Sequence, residues 1–237
     1  MNLIGRHCIF VLLLALMAAC SDSPEDKKSA NKPAATIEAL QAKAESGNAE
    51  AQDRLARCYF EGEGLARDEA KAALWFRKAA EQGNANGQRG LGYCYHSGSG
   101  LEKDSTQAFF WWRKAAEQGH VYSQNSLAHS YKNGVGVTKD EVQAVYWWRK
   151  ASEQGDSQAQ YRLGFAYEEG SGVVKDLNEA YAYFSLAGMR LEDARRYLKL
   201  IEGSEYSSKR LSREEITAGQ KRAKELQKEI EAKKAGK

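Results

Sequence analysis

Residues 84–119 read NANGQRGLGYCYHSGSGLEKDSTQAFFWWRKAAEQG, and residues 120–155 read HVYSQNSLAHSYKNGVGVTKDEVQAVYWWRKASEQG. Each stretch is 36 residues long, and the two superimpose position by position without a gap. Carrying the same step outward gives residues 48–83 on one side and 156–191 on the other. The four units align Gln52, Gln88, Gln124 and Gln160; Leu55, Leu91, Leu127 and Leu163; and Tyr59, Tyr95, Tyr131 and Tyr167. They also align Gly62, Gly98, Gly134 and Gly170, the glycines two places later, and Asp68, Asp104, Asp140 and Asp176. Ala72, Ala108, Ala144 and Ala180 follow, then Trp75, Trp111, Trp147 and Tyr183. A fixed period of this length marks a repeat array.

Each unit reads as two helices. In the first unit the leading helix runs about Ala49–Phe60, with Leu55, Ala56 and Tyr59 on its apolar face. Gly62 and Gly64 end it, because glycine accepts the left-handed backbone that closes a helix. Asp68 then caps the second helix by accepting its orphan amide protons. Gln107, Gln143 and Glu179 stand three residues after their aspartates, in capping-box spacing, while Lys71 breaks that pattern in the first unit. The second helix carries Ala72, Trp75, Phe76 and Ala79 on one stripe and stops at Gly83. In the Trp111-Trp112 and Trp147-Trp148 pairs, the first tryptophan is expected at the core position and the second on the adjoining stripe.

One helix pair cannot bury such a face, whereas stacked pairs share a continuous core. The expected fold is all-α: a right-handed α-solenoid of stacked helix pairs over 48–191, closed by helical caps. No proline follows Pro33, which suits uninterrupted helices. Residues 34–47 are expected to form an N-terminal cap helix. Residues 192–237 are expected to supply capping helices and a tail, with helices over 192–202 and 213–233. Ser212 and Glu215 have capping-box spacing, and Ile216, Ala223 and Ile230 recur at seven beside Leu226. That narrow stripe fits a helix lying on the last repeat; a coiled-coil dimer is the alternative, and a monomer is expected.

Leu91-Gly92-Tyr93-Cys94-Tyr95, Gly134-Val135-Gly136-Val137 and Lys114-Ala115-Ala116-Glu117-Gln118-Gly119 resemble the motifs of the SEL-one-like repeat family, relatives of tetratricopeptide repeats. The resemblance covers residues 48–191. It departs at Leu186-Ala187-Gly188, which replaces the Lys-Ala-Ala pattern as an array being capped would. The resemblance implies a protein-binding solenoid. Some cysteine-rich members bridge the two helices of a repeat, but the second cysteine needed for that is missing here.

Residues 1–19 carry Arg6 and then an apolar run from Ile9 to Ala19, shorter than a membrane span of about 20 residues. They fit a secretory signal. The run ends Met17-Ala18-Ala19-Cys20, which resembles a bacterial lipobox with methionine in place of the usual leucine. That resemblance implies acylation of Cys20 as the first mature residue, with Ser21 directing the protein to the outer membrane, facing the periplasm. A plain secretory signal cut near Ala19 is the alternative. Residues 20–33 then read as the acylated cysteine and a polar, flexible tether.

Candidate chemistry is sparse. Net charge is +3, too small for the field of a dedicated nucleic-acid binder, so no nucleic-acid partner is expected. The paired glycines form neither GxGxxG nor GxxxxGK[ST]. No GxSxG occurs, and the one SxxK, Ser29 to Lys32, falls in the tether. Penicillin-binding or β-lactamase activity is associated with some relatives, but a nucleophile held by a base is missing. His96, His120 and His129 share no metal spacing, and no CxxC occurs, so no metal or cofactor is expected. Cys58 and Cys94 occupy the same position in successive units. Stacked helices place such positions about 9 Å apart, beyond the reach of about 7 Å for a disulfide. Two unpaired thiols are therefore expected.

What remains is a surface. In tetratricopeptide-like arrays the first helices line the concave face. The stripe opposite the core gives Asp53, Arg57 and Phe60 in the first unit, and Arg89, Tyr93 and His96 in the second. The third contributes Tyr122, Asn125, His129 and Lys132, and the fourth Tyr161, Phe165 and Glu168. Tyrosine and arginine are frequent anchors of protein recognition; ordinary exposed helix residues are the alternative. The expected function is a non-enzymatic, membrane-tethered scaffold in the periplasm that binds a protein or peptide. By resemblance, it is an immunity protein neutralising a lipase toxin delivered by type VI secretion, or an assembly factor for an envelope or polysaccharide-export complex. A cell-wall or β-lactam hydrolase is the enzymatic alternative.

Overall fold

The computed structural model describes residues 35–203 and 211–236. The expected signal sequence, Cys20 and the tether lie outside the described residues. Among these there are eleven α-helices and no strand. Helix α1 (Ala35–Glu45) precedes four helix pairs. They are α2 (Ala49–Glu61) with α3 (Glu69–Glu81), α4 (Ala85–Ser97) with α5 (Ser105–Glu117), α6 (Val121–Asn133) with α7 (Glu141–Glu153), and α8 (Ser157–Glu169) with α9 (Leu177–Gly188). Helices α10 (Glu192–Gly203) and α11 (Arg213–Ala235) complete the chain. From α1 to α10 each helix packs on its neighbours in sequence, which makes the array an α-solenoid, and α11 folds back on α9.

Side-chain caps fix the helix starts. Asp68, Asp140 and the equivalent aspartates accept amide protons from the first turn of each second helix. Each first helix has its own cap as well, at Asn48, Asn84, His120 and Asp156. The full reciprocal capping box forms at Ser212 and Glu215. At the three expected boxes only the aspartate half is present, and the Glu179 carboxylate instead accepts from Arg222 at 2.6 Å. The two glycines of each turn divide the work. Gly134 closes α6 in the left-handed region at φ 69°. Gly136 lies at φ 72°, where a Cβ would overlap the Ser105 carbonyl oxygen of the preceding unit, so backbone meets backbone there.

The core is built from small residues around one large one. Leu55, Leu91, Leu127 and Leu163 are fully buried in the first helices. In the second helices the buried stripe of the first unit is Ala72, Ala73, Phe76, Ala79 and Ala80. Its centre is Phe76, and the equivalent residues Trp112, Trp148 and Phe184 are buried too. This reverses the expectation for the tryptophan pairs: the second member is in the core, and Trp111 and Trp147 are half-buried at its edge. The alanines on either side of Phe76 set the centre of the stripe, which leaves Trp75 beside it under the Lys78 ammonium, 4.0 Å from the ring centroid.

A polar ladder joins the units inside this core. Gln88 is 4% exposed, and its Nε2 donates to the Ala80 carbonyl at 3.3 Å. Its Oε1 accepts from Gln118 Nε2 at 2.8 Å. Gln52 with Gln82, and Gln124 with Gln154, repeat the arrangement at 2.6 and 2.9 Å. Each buried amide thus ties a first helix to the helix before it and to the end of the helix after it. Helix α11 lies along α9 and reaches α7. Leu226 and Ile230 join Ala182, Tyr183 and Leu186 in one apolar cluster, and Lys233 Nζ meets Glu153 at 2.5 Å. The C-terminal stripe therefore packs within the chain.

Candidate protein-binding groove

The first helices place the candidate residues in three settings. At the N-terminal end, Asp53 is only 2% exposed, contrary to the expected exposed position. Burial raises its carboxyl pKa, opposed by the Arg57 and Arg89 charges, and Arg57 Nε lies 3.3 Å from its Oδ2. Asp53 thus anchors Arg57 from below. Phe60 is half-buried and meets the Tyr93 ring edge-on, with centroids 5.7 Å apart.

In the middle, α4 and α6 carry no aspartate or glutamate at all. Arg89 and Tyr93 are half-buried, and His96 is exposed on the Trp112 ring, 5.2 Å between centroids. Tyr122 is 51% exposed. His129 sits edge-on to Trp148 at 6.0 Å, and Lys132 Nζ lies 6.0 Å from the same ring. Packing against its neighbours, then the Arg162 and Lys132 charges, hold His129 well below the ordinary imidazole pKa. Partial desolvation, then the Lys103 charge, lowers the His96 pKa. Both rings are therefore neutral near pH 7, leaving Arg89 and Lys132 as the fixed charges of these two helices. Asn125 is committed elsewhere, donating from Nδ2 to the α8 cap Asp156 at 2.8 Å.

At the C-terminal end the surface is already occupied. Tyr161 stacks edge-on with Phe165 at 4.9 Å, and Phe165 meets Tyr197 of α10 at 5.1 Å. The Tyr197 hydroxyl donates to Glu168 at 2.6 Å. These three groove candidates serve the cap, because α10 stands where a fifth first helix would stand. Sequence reasoning also missed Trp148, whose buried Nε1 has no hydrogen-bond partner among the described residues. The Trp148 ring lies against His129 and Lys132 of the preceding helix, a contact that helical phase alone does not announce.

One arrangement outwardly resembles a catalytic set. Ser123 Oγ is 3.2 Å from His120 Nδ1, and His120 Nε2 is 3.2 Å from Asn86 Oδ1. Yet Ser123 is 0% exposed, so no substrate reaches it. The same Nδ1 accepts the Ser123 amide proton at 3.3 Å, so the imidazole acts as the α6 cap. Burial, helped by Arg89, pushes its pKa down to about 4, which keeps that nitrogen available as an acceptor. Cys58 and Cys94 are free thiols, the first half-buried and the second buried. Among the described residues, no group of three or more His, Cys, Asp or Glu is placed to hold a metal ion, and no helix is long and apolar enough to cross a membrane.

Comparison with known proteins agrees with this architecture. The Sel1 repeat family matches residues 49–84, 85–120, 121–156 and 157–190. No curated protein sequence matches the chain. A protective antigen of uropathogenic Escherichia coli with an SLR fold is 32% identical, with a TM-score of 0.69 over 81% of this chain. The chain spans only 41% of that antigen's length. A Sel1 repeat protein from Oxalobacter formigenes is 29% identical, with a TM-score of 0.66 over 78% of this chain and 76% of its own. An immunity protein from Pseudomonas aeruginosa is 20% identical over 82% of this chain and 74% of its own, with a TM-score of 0.49, too distant to bear on function. With four consecutive matches across its helix pairs, the chain belongs to the Sel1 repeat family.

Proposed function

We propose that this protein-interaction scaffold binds its partner through the middle of the first-helix face, around Tyr93, His96, His129 and Lys132. The observation that carries this reading is the composition of α4 and α6: aromatic, neutral imidazole and cationic groups stand on two helices that carry no carboxylate of their own, and the ion pair at Lys132 is to Glu169 of α8, at 4.0 Å. Aromatic side chains on rigid helices lose little entropy on binding, and tyrosine and arginine are frequent interface anchors. The role is non-enzymatic. Among the described residues, a serine beside an imidazole, Ser123 with His120, is sealed in a helix cap.

The protein is proposed to act in the periplasm, held to the outer membrane by acyl chains on Cys20. That part rests on the sequence Met17-Ala18-Ala19-Cys20. Cys20→Ala is expected to move the protein from the membrane pellet to the soluble fraction; unchanged pelleting contradicts the anchor. The sharper role is immunity to a secreted lipase toxin, proposed on family resemblance. Photocrosslinkers placed at Tyr93 and at His129 in intact cells test the groove itself. Both positions are expected to capture one and the same protein, and the immunity role further requires that protein to be a lipase. Capture of unrelated proteins at the two positions contradicts a shared docking surface.

A further inference from the structure

The second helices present a different surface. Leu74, Phe110 and Tyr146 occupy one position in three successive units and are 50%, 45% and 48% exposed. The half-buried Trp75, Trp111 and Trp147 flank them. One turn further on stand Lys78, Lys114 and Lys150, whose ammonium groups lie over rings: 4.0 Å from the Trp75 centroid, 4.8 Å from Phe110 and 5.7 Å from Tyr146. The result is an apolar stripe edged by cations, running across α3, α5 and α7.

In the fourth unit the same positions hold Ala182, Tyr183 and Leu186, all buried. They are covered because α11 lies there, with Leu226 and Ile230 in their cluster. The chain therefore already seats an amphipathic helix on this face where the face ends. Beyond the end of α11 the surface continues as a cleft of about 500 Å³, lined by Tyr146, Trp147 and Lys150 together with Glu117 and Glu153, the last already paired with Lys233 at 2.5 Å. We propose that the stripe on the first three units is a second docking surface, taking an amphipathic helix of a partner protein that faces it with small residues and flanks it with carboxylates.

Size and charge fix that chemistry. Where the array offers Ala182, its own helix supplies leucine and isoleucine. Where the array projects leucine, phenylalanine and tyrosine, a visiting helix needs alanine or glycine to come close. Helix α11 does this itself at Gly219, where a Cβ would stand 2.7 Å from the Tyr181 ring. The three lysines rest on rings and are available to carboxylates on the flank of a visitor. This face is separate from the first-helix groove, so it stands or falls independently of the groove assignment.

The test uses the full chain and a fluorescent helical peptide of about 20 residues, with alanines along one face and glutamates beside them. A lysine-for-glutamate version and a scrambled version serve as controls. Saturable anisotropy is expected with the acidic peptide, and binding at least about tenfold weaker with both controls. Phe110→Glu with Tyr146→Glu is expected to weaken binding by a similar factor. Lys114→Glu with Lys150→Glu, at exposed sites, gives the same reading should the aromatic pair disturb folding. Tyr93→Ala with His129→Ala is expected to change nothing. Equal binding of the scrambled peptide, or indifference to both outer-face pairs, overturns the proposal. So does binding of phosphatidylglycerol vesicles in place of the peptide, which would assign the stripe to lipid. Self-association abolished by the same substitutions would assign it to a second copy, and also overturns the proposal.

Discussion

Gln118 donates from Nε2 to Oε1 of Gln88 at 2.8 Å, a bond between residues 30 apart that repeats along the array. Gln88 in turn reaches back to the Ala80 carbonyl, so one buried side chain holds three consecutive helices. Gln88→Leu keeps the volume but removes both bonds. The Ala80 carbonyl keeps the Gly83 amide as a donor at 2.9 Å, so the expected cost is that of the lost side-chain bonds, about 0.5–1.5 kcal/mol each, read as a lower urea midpoint. Gln118→Ala, at the exposed end of the bond, is expected to cost less.

The two turn glycines are expected to differ in tolerance. Gly134→Ala meets the strain of a left-handed backbone alone, about 1–2 kcal/mol, since the nearest atom to a new Cβ is 3.5 Å away. Gly136→Ala adds an overlap with the Ser105 carbonyl and forces two units apart. Thermal melts of the pair should show the second variant much less stable.

The His120 cap makes stability depend on pH. Its pKa is about 4 in the folded chain, against about 6.5 when unfolded. Between these values the unfolded chain binds a proton that the folded chain does not, so this contribution is complete above about pH 6.5 and lost as pH falls toward 4. His120→Asn restores the cap used at Asn48 and Asn84 without a titrating group. The variant is expected to match the parent near pH 7 and to exceed it in stability at pH 5. Parallel loss in both proteins would assign the pH dependence to other groups.

Burial separates the two thiols. Cys94 is fully buried and its pKa is pushed up to about 12, while Cys58 is half-buried with a smaller rise. Iodoacetamide labelling at pH 8, followed by peptide mapping, should modify Cys58 in the native protein and Cys94 only after unfolding. Leu226→Ala is expected to loosen α11 from α9 at a cost of about 2–4 kcal/mol, seen as faster amide exchange in residues 213–235.

The repeat was legible because it is written four times over. A 36-residue step marks the helix pairs, the glycine closures and the aspartate caps in the sequence itself. The caps of the first helices were less visible, because four positions hold three residue types: Asn48, Asn84, His120 and Asp156. Which tryptophan of each pair enters the core is the reverse of the sequence expectation, since adjacent positions differ by one step around a helix. Only the flanking alanine pairs decide the centre of the stripe. The groove was half legible. Exposure of Tyr122 and His129 follows from helical phase, but Asp53 is buried under Arg57 of its own helix and near Arg89 of the next unit. The capping role of Tyr161, Phe165 and Glu168 depends on α10, whose placement no periodicity announces.

The claim that a partner docks across the middle of the first-helix face is tested most directly by titrating the captured partner against the parent protein and against Tyr93→Ala with His129→Ala. Both substitutions remove ring contacts at the surface, and circular dichroism should show the helices intact. A loss of affinity of about tenfold or more is the predicted result. Unchanged affinity, with the partner still bound and the fold unaltered, would contradict it.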